Sequence, residues 1–89
     1  LRGHEPVLLG EGVELFAIPV PRALAGRALR DSGIGTTTGM SVVGIERRDG
    51  TVTQLTAETM LDADTSLVML GSREQRRLFA QTYEGRRPQ

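Results

Sequence analysis

Thr38-Gly39-Met40-Ser41-Val42-Val43-Gly44-Ile45 is an apolar stretch entered through glycine, and Glu46-Arg47-Arg48-Asp49-Gly50 follows it. A short run of β-branched residues that runs into Asp-Gly reads as a strand entering a hairpin. The strand is read over 40–46, the hairpin over 47–50, and a more polar strand over 52–55. Downstream, Leu61-Asp62-Ala63-Asp64 leads into Ser66-Leu67-Val68-Met69-Leu70-Gly71, a second apolar run closed by glycine. Upstream, residues 13–20 give a strand with Phe16, Ile18 and Val20 on one face and Leu15 and Ala17 on the other. Pro19 and Pro21 have no ladder donor, which places the end of that strand at an edge or an exit.

Between the strands the signals are weaker. Residues 27–32 read as about two helical turns stopped by Gly33. Residues 33–39 read as a Gly/Thr loop, and 57–61 as a helical turn. Ser72 with Gln75 three positions on is a capping box. It opens a helix with Leu78, Phe79 and Tyr83 along one side and Arg73, Arg76 and Arg77 mainly off that stripe. Residues 1–12 read as a linker, 13–84 as one domain and 85–89 as a tail. The fold class is therefore α+β: a small, mainly antiparallel four-stranded sheet with two short helices.

Simple alternation puts Val43 and Ile45 on one face of their strand and Met40 and Val42 on the other; Leu67 and Met69 oppose Val68 and Leu70. Both sheet faces are then apolar, as in sheets covered on both sides. Two short helices do not cover both, so a second copy in a two-fold dimer is expected to cover the remainder. The alternative is that the loops and the 57–61 turn suffice.

Composition narrows the function. Eighty-nine residues make one small domain. A chain of that size buries only about 60% of its unfolded surface. Cysteine is absent, so no disulfide or thiolate metal site supplements the core. Lys plus Arg and Asp plus Glu balance at 11 each, which argues against a polyanion binder. The aromatic residues are Phe16, Phe79 and Tyr83, too few for a base-stacking platform. No run approaches the ~20 apolar residues of a membrane span. The chain opens on Leu1 rather than Met and reads as part of something longer.

Catalytic and phosphate-binding readings fail on inspection. The Gly33 to Gly39 stretch lacks the Lys-Ser/Thr ending of a P-loop and precedes a strand. Asp62 and Asp64 alone do not supply the 6–8 oxygens of a calcium site. A Ser-His-Asp arrangement would need His4, in the linker. The chain is not expected to be an enzyme.

The ordered set Val20-Pro21, Gly26-Arg27-Ala28-Leu29, Thr38 to Ile45, Arg47, Asp49-Gly50, Leu61 with Asp64, and Leu67 to Gly71 resembles the C-terminal domain of the RCK/TrkA family. Ala63 stands where the family pattern has glycine. The resemblance implies a cytoplasmic, dimerising regulatory domain of a potassium channel or potassium-transport protein. Its partners would be a second copy and the membrane pore or transporter part of its parent, with no nucleic-acid polymer. It also implies a small ligand, cyclic di-AMP or another nucleotide, around Leu29, Arg30, Gly33, Gly35, Ser41, Val42 and Val43. Members that bind cyclic di-AMP carry Asp, Arg and Asn where this chain has Gly33, Gly35 and Ser41, and an aliphatic residue where it has Arg30. A hydrogen bond to a charged group is worth about 1.5–3 kcal/mol, so losing that Arg twice at a two-fold site weakens phosphate binding severely. The alternatives are an assembly module without a ligand, or the same module on an antiporter or other transporter.

Overall fold

The structure, a computed structural model, describes residues 6–85; His4, most of the expected tail and the start of the expected linker lie outside them. Five strands form one antiparallel sheet: β1 (Val7–Gly10), β2 (Val13–Pro19), β3 (Ser41–Arg47), β4 (Gly50–Val52) and β5 (Ser66–Gly71), in the order β1-β2-β5-β3-β4. Two helices, α1 (Ile34–Thr38) and α2 (Arg73–Tyr83), and a 3-10 turn at Leu29–Asp31 complete it. The α+β class and the antiparallel sheet stand as expected. The fifth strand is β1, which lies inside the stretch read as linker and pairs Val7 with Leu15 and Leu8 with Glu14.

β5 is the central strand, paired with β2 on one side and β3 on the other. Its alternation holds: Leu67 and Met69 face the core. In β3 the register shifts between Val42 and Gly44, which inserts one extra residue. Such a bulge breaks the period of two. Met40 and Ile45 are consequently both buried with Val42 packed beside them, whereas Val43 is 37% exposed. The simple alternation that grouped Val43 with Ile45 is thereby corrected.

The core lies on one face of the sheet. Phe16, Ile18, Ile45, Leu67 and Met69 contribute from the strands, and Leu24, Ile34, Leu61 and Phe79 close over them. Part of that cover is a small pairing between residues 26–30 and 57–61. Gly26 N donates to Leu61 O (2.7 Å), Leu61 N to Arg27 O (2.9 Å), and Leu29 N to Thr59 O (2.7 Å). These bonds occupy the backbone groups that helices over 27–32 and 57–61 would have used. Only the 3-10 turn remains of the first, and the second is not a helical turn.

Residues 33–39, read as a loop, contain α1. Gly33 and Gly39 flank it in the left-handed region (φ 72° and 81°). Thr38 Oγ1 donates to Ile34 O (2.7 Å) and accepts from Met40 N (3.1 Å), and both Ile34 and Thr38 are buried. A five-residue helix of glycine and threonine has poor propensity; anchoring at both ends maintains it.

The hairpin after β3 is as expected, but β4 spans Gly50–Val52 rather than 52–55, and only Gly50 of its Asp-Gly pair has positive φ. α2 opens on the expected capping box: Gln75 N donates to Ser72 Oγ (3.1 Å) and Ser72 N to Gln75 Oε1 (2.9 Å). Phe79 is buried, Tyr83 packs on it, and Leu78 stays 39% exposed.

Candidate functional site

The 3-10 turn, the start of α1 and the start of β3 enclose a cleft of about 280 Å³. Five of the seven predicted ligand residues line it: Leu29, Arg30, Gly33, Gly35 and Val42. Ser32, Ile34, Thr36 and Met40 line it as well. Ser41 and Val43 do not. Ser41 pairs with Leu70 in the ladder, which turns it to the opposite face, and Val43 occupies the bulge.

Ser32 joins the two segments that make the cleft wall. Its Oγ donates to Leu29 O (2.8 Å) and accepts from Ile34 N (3.2 Å). Its carbonyl accepts a hydrogen bond from the Tyr83 hydroxyl (2.8 Å), which brings the last turn of α2 against the wall. Sequence reasoning had no means to find this contact, because its partners are 51 residues apart. Ser32 was missed too, because the sequence placed it at the end of a helix over 27–32 and read the residues after it as a loop.

Electrostatically the cleft is modest. Among the described residues Arg30 is the only cation lining it, and its guanidinium already meets Glu58 Oε2 at 2.9 Å and Asp31 Oδ1 at 3.8 Å. All three groups are largely exposed, so the pairing leaves the guanidinium open to exchange for another anion.

Several other charged side chains have structural partners. Arg47 pairs with Asp62 (3.1 Å), and Asp62 O accepts from Thr65 N and Oγ1, fixing the entry to β5. The buried Glu14 carboxylate accepts from Arg73 Nε (2.9 Å). Arg76 lies over the Phe79 ring and pairs with Glu84. Among the described residues no three His, Cys, Asp or Glu side chains gather as a metal site, and no helix is long and apolar enough to cross a membrane.

Comparison with known proteins gives a consistent picture. A family model described as the TrkA-C domain matches residues 13–82. The crystal structure of the GsuK RCK domain superposes with a TM-score of 0.73 at 33% identity, covering 85% of this chain and 17% of that one. The GsuK channel bound to NAD gives 0.74 at 33% identity, covering 85% of this chain and 14% of the channel chain. The RCK C domain of the potassium transport protein KtrA, in complex with cyclic diadenosine monophosphate, gives 0.69. Its identity is 18%, over 75% of this chain and 79% of that one, which speaks for the fold alone. The chain thus spans about a sixth of the GsuK chains it matches. No curated protein matches it in sequence.

Proposed function

The chain belongs to the TrkA-C domain family, and from that premise we propose that it is the cytoplasmic regulatory domain of a potassium channel or potassium-transport protein, acting as a dimer and biasing transport through a small ligand. The observation that carries this reading is the 33% identity to the GsuK RCK domain over 85% of the chain. Family membership also speaks against catalysis, since the family is regulatory.

The dimer is supported by the uncovered sheet face. Leu15, Ala17 and Leu70 are partly exposed there, and they are not among the side chains that pack on the core among the described residues. The register aligns Val7 with Leu15, Leu15 with Leu70, and Ala17 with Val68, so the apolar residues form contiguous rows in which Val68 is already buried while Leu15, Ala17 and Leu70 keep exposed area. A two-fold copy covering these rows would remove them from water at ~25 cal/mol per Å².

The ligand reading rests on the five predicted residues that converge on the 280 Å³ cleft. GsuK with NAD and KtrA with cyclic di-AMP make nucleotides the class to try first. A ligand acts on the attached pore only through its differential affinity for two states of the dimer. The second reading, an assembly module without a ligand, is favoured by one specific observation: Arg30, the one cation lining the cleft among the described residues, already pairs with Glu58 and Asp31.

A thermal-unfolding screen separates the two, run against cyclic di-AMP, NAD(H), ATP, ADP, AMP and divalent cations, with calorimetry on each positive. A ligand at about 100 times its dissociation constant adds ~2.7 kcal/mol, a shift of several degrees for so small a domain. One ligand per dimer establishes the sensor. Flat curves across the panel with an intact dimer favour the assembly module.

A further inference from the structure

Tyr83 is the single tyrosine of a chain without tryptophan, and its hydroxyl ends against the wall of the candidate cleft. The ring is held at its base by the fully buried Phe79, with centroids 5.0 Å apart. From there the hydroxyl donates to Ser32 O at 2.8 Å. A Cβ on Gly33 would sit 3.4 Å from the same oxygen, so the hydroxyl lies against the backbone where the chain turns through the left-handed region into α1.

We propose that Tyr83 is the positioning residue of this cleft, coupling the last turn of α2 to the Ser32-Gly33 wall. The proposal rests on reading the cleft as the ligand site. Ser32 has its side chain committed to Leu29 O and Ile34 N, and its carbonyl is committed to Tyr83. A five-residue helix does not hold its own place, so this clamp sets where α1 begins. At the far end of α1, Thr38 Oγ1 accepts from Met40 N, and the side chain of Gln75 from α2 lies where a Cβ on Gly39 would fall. α2 therefore holds the start of the segment that walls the cleft, through Tyr83, and lies close to its far end. On its other flank Tyr83 lines a separate cleft of about 630 Å³ with Pro21, Arg22 and Ala23. A displacement of the last turn of α2 from that side is delivered to Ser32 through the phenol.

Tyr83→Phe deletes only the hydroxyl. In that variant hydrogen exchange is expected to accelerate at the Ile34 and Thr37 amides, which bond to Ser32 Oγ and Gly33 O. The expected factor is about fivefold to tenfold beyond any change at the β5 amides, the size of one neutral hydrogen bond. An equal factor at α1 and β5, or no change at α1, overturns the proposal. The second arm uses cyclic di-AMP and NAD as probes, with Leu78→Ala as a control on the exposed side of the same helix. If either probe binds the parent domain by calorimetry, Tyr83→Phe should weaken it about fivefold while Leu78→Ala leaves it unchanged. Equal affinities in parent and Tyr83→Phe overturn the proposal. If neither probe binds, the ligand reading is what fails for these nucleotides, and the exchange pattern alone decides whether Tyr83 positions the wall.

Discussion

Met69 and Leu70 are neighbours on β5, both apolar, and they face opposite sides of the same sheet. Met69 is fully closed off among Phe16, Ile45 and Phe79, while Leu70 is half-exposed beside Leu15 and Ser41. β2 and β5 are thus apolar on both faces, yet the monomer closes the inner face while Leu15, Ala17 and Leu70 on the outer one stay partly exposed. The segments between β2 and β3 and between β4 and β5, together with α2, all go to the inner face. The difference marks the division between what folds the chain and what the chain presents to a partner.

Substitution on the inner face gives the largest expected effect. Met69→Ala leaves a cavity at a site with no exposed surface, at a cost of about 2–5 kcal/mol. In a domain this small that loss removes much of the total stability, and urea unfolding should show it at any protein concentration. A loss below about 1 kcal/mol would mean that the inner face is not the main core.

Gly71→Ala probes the place where the core meets α2. A Cβ there would lie 2.8 Å from Gln75 Oε1 and 3.0 Å from two atoms of Met40. Overpacking of that kind costs about 1–3 kcal/mol, and the same methyl would press on the Gln75 side of the capping box. Reduced thermal stability with native secondary structure is the expected outcome. Ser72→Ala comes next, at about 1 kcal/mol, because it removes the acceptor for Gln75 N and leaves the box half-made. Circular dichroism melts of the two variants should rank them in that order.

These same residues explain what could be read in the chain beforehand. The capping box, the β5 alternation and the hairpin depend on bonds within a few residues of each other, and local pattern is enough to find them. The bulge at Val43 depends on how many residues β3 sets against Met69 and Val68 of β5, which no property of β3 alone specifies. The pairing of 26–30 with 57–61 is likewise non-local, and it overrode two helical readings. α1 was hidden because glycine and threonine signal loop, while the bonds that hold it come from Ser32 and Thr38, with the Ser32 carbonyl held in turn by Tyr83 of α2. Of the residues named from the family spacing, Leu29, Arg30, Gly33, Gly35 and Val42 line one cleft. Ser41 and Val43 are separated from them by strand alternation and by the bulge, both consequences of pairing with β5.

Leu70→Ala carries the smallest expected effect on the monomer and the most information about the comparison. Full burial of a leucine is worth about 1.5–3 kcal/mol, and a half-exposed one realises only part of that. In dilute solution, where copies are apart, Leu70→Ala should therefore cost less than about 1 kcal/mol. If a second copy covers the outer face, the cost must rise with protein concentration, since dimerisation adds to the stability of the parent by mass action. Met69→Ala should show no such rise in its own monomer cost, because its cavity is present whether or not a partner binds. Leu70→Glu sharpens the contrast: it places a carboxylate in the row with Leu15, where a dimer would bury it twice. Sedimentation should then report monomer for Leu70→Glu and dimer for the parent at the same concentration. A parent that stays monomeric at high concentration, with a Leu70→Ala cost independent of concentration, would mean that the outer face awaits a different surface of the parent protein rather than a second copy.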